Sequence, residues 1–162
     1  MTLFFIIIGS IAVVVSVFAA YRSVAWAPAI GWCALAVLMS ATAVATTVFW
    51  GIAAAIAVAI GLMLPRAVAV SRQGLPFMTT GALAGAFVGL LFPYSGAGMI
   101  LGAVIGTAFG LLLYSRTSAG AILGFPSKKF FNYACAKGFP AVVTTCICAL
   151  SLLQIFQLIK SL

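Results

Sequence analysis

The stretch GALAGAFVGLLFPYSGAGMILGAVIGTAFG, residues 81–110, contains eight of the sixteen glycines of the chain. Glycine weakens a helix in water by about 1 kcal/mol relative to alanine, but in lipid small residues let two helices pack closely. A four-residue spacing places glycines along one helix face, and Pro93 predicts a turn between two antiparallel helices. We therefore predict a glycine-zipper hairpin whose helix-packing residues are Gly81, Gly85, Gly89, Gly98, Gly102, Gly106 and Gly110.

The composition indicates that this chain is surrounded by lipid. Of its 162 residues, 66% are hydrophobic and 5% are charged, and it has no Asp, Glu or His. A water-soluble surface needs roughly 25–35% charged residues. The sequence therefore predicts an all-α, polytopic transmembrane bundle that forms a single integral membrane domain over residues 1–162.

Six apolar segments can be counted against the need for about 20 residues per membrane-spanning helix. They are Leu3–Ala20, Ala29–Thr46, Thr47–Leu64, Phe77–Phe92, Gly98–Tyr114 and Phe139–Ile159. The domain then divides into a three-helix half (1–76), the hairpin (77–114), a basic loop (115–138) and a C-terminal helix (139–162). We expect a tight turn within residues 41–47. We expect the hairpin at the centre of the bundle, as two short spans or as a re-entrant loop. A larger side chain at Gly120 in the loop is expected to matter less than one at Gly85 or Gly102.

The positive charges predict the orientation, because Lys and Arg near membrane ends favour the cytoplasm. Six segments place seven of the eight cations on one side and Lys160 on the other. This predicts a protein of the bacterial inner membrane with both termini on the non-cytoplasmic side. Six of these seven cations, all except Arg22, are candidate contacts for anionic lipids, and membrane topology is the competing explanation for their positions. They are Arg66, Arg72, Arg116, Lys128, Lys129 and Lys137.

The missing residue types restrict the chemistry. General acid–base catalysis, sites for hard metal ions and intramembrane proton relays depend largely on carboxylates or imidazole. The four cysteines lie in or beside apolar segments, where a free cysteine behaves as a small hydrophobe. We therefore predict no catalytic residue, no metal site, no cofactor and no enzymatic activity.

Two functions remain open. The first is a non-enzymatic packing or assembly component of a homo-oligomer or of a larger membrane complex, with lipid and membrane subunits as partners and no nucleic acid. The alternative is a small transport module, such as a channel, a uniporter or a partner-energised substrate-binding subunit. A pore would use Thr79, Thr80 and Thr107, although threonine hydroxyls in helices also bond back to their own backbone.

Five stretches carry a family resemblance: FFIIIGSIAVVV (4–15), GLMLPRAVAV (61–70), SRQGLPFMTTG (71–81), the hairpin (81–110) and FFNYACAKGFPAVVTTCICALSLL (130–153). In this order they resemble the domain of unknown function 456 family of small bacterial membrane proteins. The resemblance implies a membrane fold built around the glycine-rich hairpin. It implies no reaction, cofactor or substrate.

Overall fold

The computed structural model describes residues 2–22, 25–39, 44–63, 72–92 and 95–160. Within these ranges the ordered elements are all helical and no β-strand occurs. The α-helices of the described residues are α1 (Thr2–Tyr21), α2 (Ala27–Leu38), α3 (Val44–Met63), α4 (Leu75–Leu90), α5 (Ser95–Ser115), α6 (Lys128–Tyr133) and α7 (Phe139–Lys160). A π-helical turn, Ala134–Gly138, joins α6 to α7.

In the part of the chain that the structure describes, four helices are long and apolar enough to cross a membrane, namely Leu3–Tyr21, Val44–Met63, Gly96–Ser115 and the continuous Lys128–Lys160. The apolar helices α2 and α4 are shorter, with 12 and 16 residues. At 1.5 Å per residue they extend about 18 and 24 Å, less than the roughly 30 Å of a hydrocarbon core. The six predicted segments thus correspond to four long helices and two short ones.

Helix α7 occupies the centre of the bundle, where the hairpin is predicted. It packs against α1, α2, α3, α4 and α5, and α4 and α5 pack mainly on each other. Small side chains on several sides of α7 are almost fully buried, including Ala141, Thr144, Cys148 and Ala149. These let neighbours approach α7 from several directions, whereas α4 and α5 use their glycines against each other. The hairpin therefore lies on one side of the bundle.

The helix boundaries differ most from the predicted ones around the second segment and in the basic loop. The second segment is predicted to run to Thr46, but α2 ends at Leu38. Helix α3 begins at Val44, so the second part of the turn predicted at 41–47 is helical, and 41–43 lie outside the described residues. Residues 115–138, predicted as a loop, contain a 3-10 turn (Ala121–Leu123), α6 and the π-helical turn. The Ser127 hydroxyl caps α6 by accepting a hydrogen bond from the Phe130 amide (3.1 Å), which is a common local signal for a helix start.

The two ends of the bundle differ in charge. At the end we call the basic end, a pocket of about 30 Å³ brings together Ala20, Ala25, Gly61, Leu75 and Lys137, so α1 and α3 end where α2, α4 and α7 begin. At the opposite end Ile6, Leu38 and Ile155 form a small apolar cluster. The helix order places five described cations at the basic end, namely Arg22, Arg116, Lys128, Lys129 and Lys137.

The remaining three cations complete this distribution. Arg72 lies in the 3-10 turn before α4, and Lys160 is the last residue of α7, at the opposite end. Arg66 lies outside the described residues. The helix order therefore separates Lys160 from the other described cations, as the sequence predicts.

Candidate functional site

The glycines of α4 and α5 bring the two helix backbones into contact. Gly81 faces Gly106, Gly85 faces Gly102, Gly89 faces Gly98, and Gly110 faces the Phe77 backbone. A Cβ atom placed on Gly85 would overlap the Gly102 carbonyl oxygen and lie 2.7 Å from its carbon. Overlap with a backbone carbonyl recurs at all seven glycines, so no larger residue fits at any of them without displacing a helix.

The hairpin has an inner and an outer face. On the inner face Met78, Ala82, Ala86, Met99 and Ala103 are almost fully buried, and several of them share a core cluster with residues of α3 and α7. The outer face carries exposed side chains such as Val88, Leu101, Ile105 and Phe109. Most of the seven hairpin glycines also line an apolar groove of about 770 Å³ between α4 and α5 on this face, which we call the outer groove.

The threonines named as pore candidates are bonded within their own helices. The hydroxyl of Thr79 donates to the Leu75 carbonyl (2.8 Å), that of Thr80 to Pro76 (2.6 Å) and that of Thr107 to Ala103 (2.7 Å). In the central helix, the hydroxyls of Thr144 and Ser151 do the same. Across the described ranges no buried side-chain nitrogen or oxygen lacks a hydrogen-bond partner.

A buried contact between α1, α2 and α7 is not predicted from the sequence. The Ser16 hydroxyl, fully buried, donates to the Ala27 carbonyl (2.9 Å), and the Cys148 thiol donates weakly to the Ser16 oxygen (3.8 Å). Gly31 makes room for this contact, since a Cβ there would lie 2.8 Å from the Ser16 oxygen. The only sequence signal is a serine in a largely apolar helix that also contains Ser10, and the partner of Ser16 is a backbone group.

Aromatic side chains attach α6 to the hairpin at the basic end. The rings of Tyr114 and Tyr133 stack with centroids 6.2 Å apart, and Phe77 packs on Tyr114 at 5.8 Å. Gly74 lies under both tyrosines, because a Cβ there would be 2.7 Å from a Tyr114 ring carbon. This cluster fixes α6, and with it the positions of Lys128 and Lys129, against the end of the hairpin.

A second apolar groove lies between three helices, and we call it the α3–α5–α7 groove. Its volume is about 470 Å³. The walls come from α3, α5, the π-helical turn and α7, with Trp50, Val104, Ala108, Cys135 and Val142 among the lining residues. Its polar lining residue Thr107 donates its hydroxyl to Ala103, so the groove presents an apolar surface.

The cysteines divide into two pairs. Cys33 and Cys135 are exposed, and Cys146 and Cys148 are buried in α7. Among the described residues no three metal-ligating side chains come together. Cys146 and Cys148 belong to the apolar clusters around the central helix.

Comparisons of the chain with models of protein families, with curated proteins and with solved structures gave no match.

Proposed function

We propose that this chain is a non-enzymatic integral membrane protein that serves as a packing or assembly component, in a homo-oligomer or beside membrane partner subunits. In this proposal the glycines form a zipper that holds α4 and α5 together as one unit. The protein lies in the bacterial cytoplasmic membrane as a six-segment bundle with both termini on the non-cytoplasmic side. The resemblance to the domain of unknown function 456 family agrees with such a fold.

The outer face of the hairpin is the observation that carries the proposal. Glycine backbones lie at the floor of the outer groove, and Val88, Phe92, Leu101 and Ile105 form its rims. Helix association in lipid depends on close van der Waals contact, which a groove floored by glycine permits. The outer groove therefore offers a concave apolar surface on which a helix of another subunit can pack.

The hydrogen-bond pattern favours assembly over transport. A solute path needs polar groups that are free to bind the solute, as the pore linings of channels are. The hydroxyls of Thr79, Thr80 and Thr107 already donate to carbonyls of their own helices. The chain also has no carboxylate or imidazole to couple transport to protons. The small transport module remains the alternative.

The test is a mass measurement of the protein purified in a mild detergent, with a matched pair of variants. Ala84 is exposed in the outer groove, and Ala55 is exposed on α3 away from it. We expect the wild type to run as an oligomer or with a membrane partner, Ala84→Phe to lose that association and Ala55→Phe to keep it. A wild-type monomer without partners, or equal behaviour of the two variants, would contradict the proposal.

A further inference from the structure

The chain carries positive charge that it cannot neutralise itself. Its eight Lys and Arg residues face no Asp or Glu anywhere in the sequence, and the described cations other than Lys160 lie at the basic end. Basic clusters at the ends of membrane helices attract anionic headgroups, and basic pockets between helices bind them. The countercharge at this end must therefore come from outside the chain.

The α3–α5–α7 groove reaches toward the same end at Leu111 and Ala134. It extends along α5 from Ile100 to Leu111, and along α7 and the π-helical turn from Cys146 to Ala134. The eleven steps from Ile100 to Leu111 correspond to about 16 Å, close to half of a hydrocarbon core of about 30 Å. The groove therefore has the length of one extended lipid chain and the apolar lining that such a chain requires.

The π-helical turn forms the part of this groove that lies nearest the basic end. Ala134, Cys135 and Gly138 belong to it and line the groove, and π-turns inside α-helices occur frequently at functional sites. Gly138 lets α5 come close, since a Cβ there would lie 3.2 Å from a Thr107 methyl carbon. Lys128 precedes Cys135 by seven residues, two helical turns, and so lies on the same side of the helix.

We propose that the α3–α5–α7 groove binds one acyl chain of an anionic phospholipid, whose phosphate headgroup lies among the cations of the basic end. The apolar groove binds the acyl chain of the lipid. The negative charge of the headgroup is recognised by three exposed cations, Lys128, Lys129 and Arg116. The site lies on a different side of the hairpin from the outer groove. It therefore does not depend on the assembly role.

The proposal is tested by counting bound lipids with native mass spectrometry. The protein is reconstituted in nanodiscs that contain equal amounts of phosphatidylglycerol and phosphatidylethanolamine, then released and weighed. We expect the wild type to retain phosphatidylglycerol in preference to phosphatidylethanolamine. Ala108→Phe, which fills the groove, should abolish this retention, and Ala84→Phe in the outer groove should not.

A charge variant provides the second arm. Lys128→Gln/Lys129→Gln leaves the groove intact and should reduce the preference for phosphatidylglycerol about fivefold for each cation that contacts the headgroup. Circular dichroism reports whether each variant is folded. If Ala108→Phe does not fold, Val104→Trp fills the same groove from an exposed position.

Three results would overturn the proposal. The first is equal retention of both lipids by the wild type, and the second is unchanged retention in a folded groove variant. The third is a loss of oligomer mass in the groove variant with lipid retention intact, which would assign the groove to a second copy of the chain.

Discussion

Gly85 and Gly96 lie in the same hairpin and have opposite surroundings. A Cβ on Gly85 would overlap the Gly102 carbonyl and lie 3.2 Å from the Gly106 Cα, whereas a Cβ on Gly96 meets no atom within 4 Å. Overpacking a tight contact costs roughly 1–3 kcal/mol, and alanine is a better helix former than glycine by about 1 kcal/mol. We expect Gly85→Ala to lower the unfolding free energy by that overpacking cost and Gly96→Ala to leave it equal or higher. Denaturation in mild detergent, followed by circular dichroism, measures both, and equal stability of the two variants would refute the backbone contact.

Gly120 shows where residue-level prediction from the sequence fails. The sequence predicts that a larger side chain matters less at Gly120 than at Gly85 or Gly102. A Cβ at Gly120 would nevertheless lie 2.6 Å from the Tyr114 carbonyl carbon, as close as the corresponding contacts of Gly85 (2.7 Å) and Gly102 (2.9 Å). The cause is the turn after α5, in which the Thr117 amide bonds to the Tyr114 carbonyl (2.9 Å) and the Gly120 amide to the Thr117 carbonyl (3.1 Å). The regular spacing of the hairpin glycines predicts that they lie at close helix contacts, whereas no spacing pattern predicts a close contact at a glycine in an irregular turn.

At the scale of helices, Ser16 ties α1 to α2, while Ser10 on the same helix bonds only to the Ile6 carbonyl, 2.7 Å away, of α1 itself. Interhelical hydrogen bonds in membrane proteins contribute about 0.6 kcal/mol on average and about 1.7 kcal/mol at most. We expect Ser16→Ala to lower the unfolding free energy within that range and Ser10→Ala to leave it unchanged. The same detergent denaturation compares them, and a cost at Ser10 equal to that at Ser16 would contradict the interhelical role.

The helices themselves could be predicted better than their arrangement. Pro93 and the glycine series place the hairpin helices within three residues of the observed α4 and α5, because turn and packing signals are local. The central place of α7 could not be predicted in this way. It depends on small buried residues on several sides of one helix, such as Ala141 and Ala149, and their partners are distant in sequence. The α3–α5–α7 groove has the same origin, since no single segment contains its lining.

At the scale of the whole molecule, the charge asymmetry predicts that the basic end faces the cytoplasm. Ile122 at that end is 79% exposed and Leu91 at the other end is 85% exposed. In a variant without the native cysteines, an impermeable maleimide should label Leu91→Cys in intact cells and Ile122→Cys only after permeabilisation. Labelling of both only after permeabilisation would indicate a re-entrant hairpin, and the reverse pattern an inverted orientation.

The composition of the whole chain argues against proton-coupled transport. Proton-driven transporters use a titrating group within the membrane, usually a carboxylate or imidazole, and this chain contains neither. The described cations lie at the two ends of the bundle. Backbone carbonyls accept hydrogen bonds from the described buried serine and threonine hydroxyls, namely those of Ser16, Thr79, Thr107, Thr144, Thr145 and Ser151. We therefore expect a pH gradient across proteoliposomes to decay at the rate of protein-free vesicles, with or without a mixture of amino acids, sugars and organic ions. A pH-sensitive dye inside the vesicles measures this rate. Faster decay that Lys137→Gln abolishes would contradict the prediction, since it would identify a lysine as the coupling group and restore the transport module as the function.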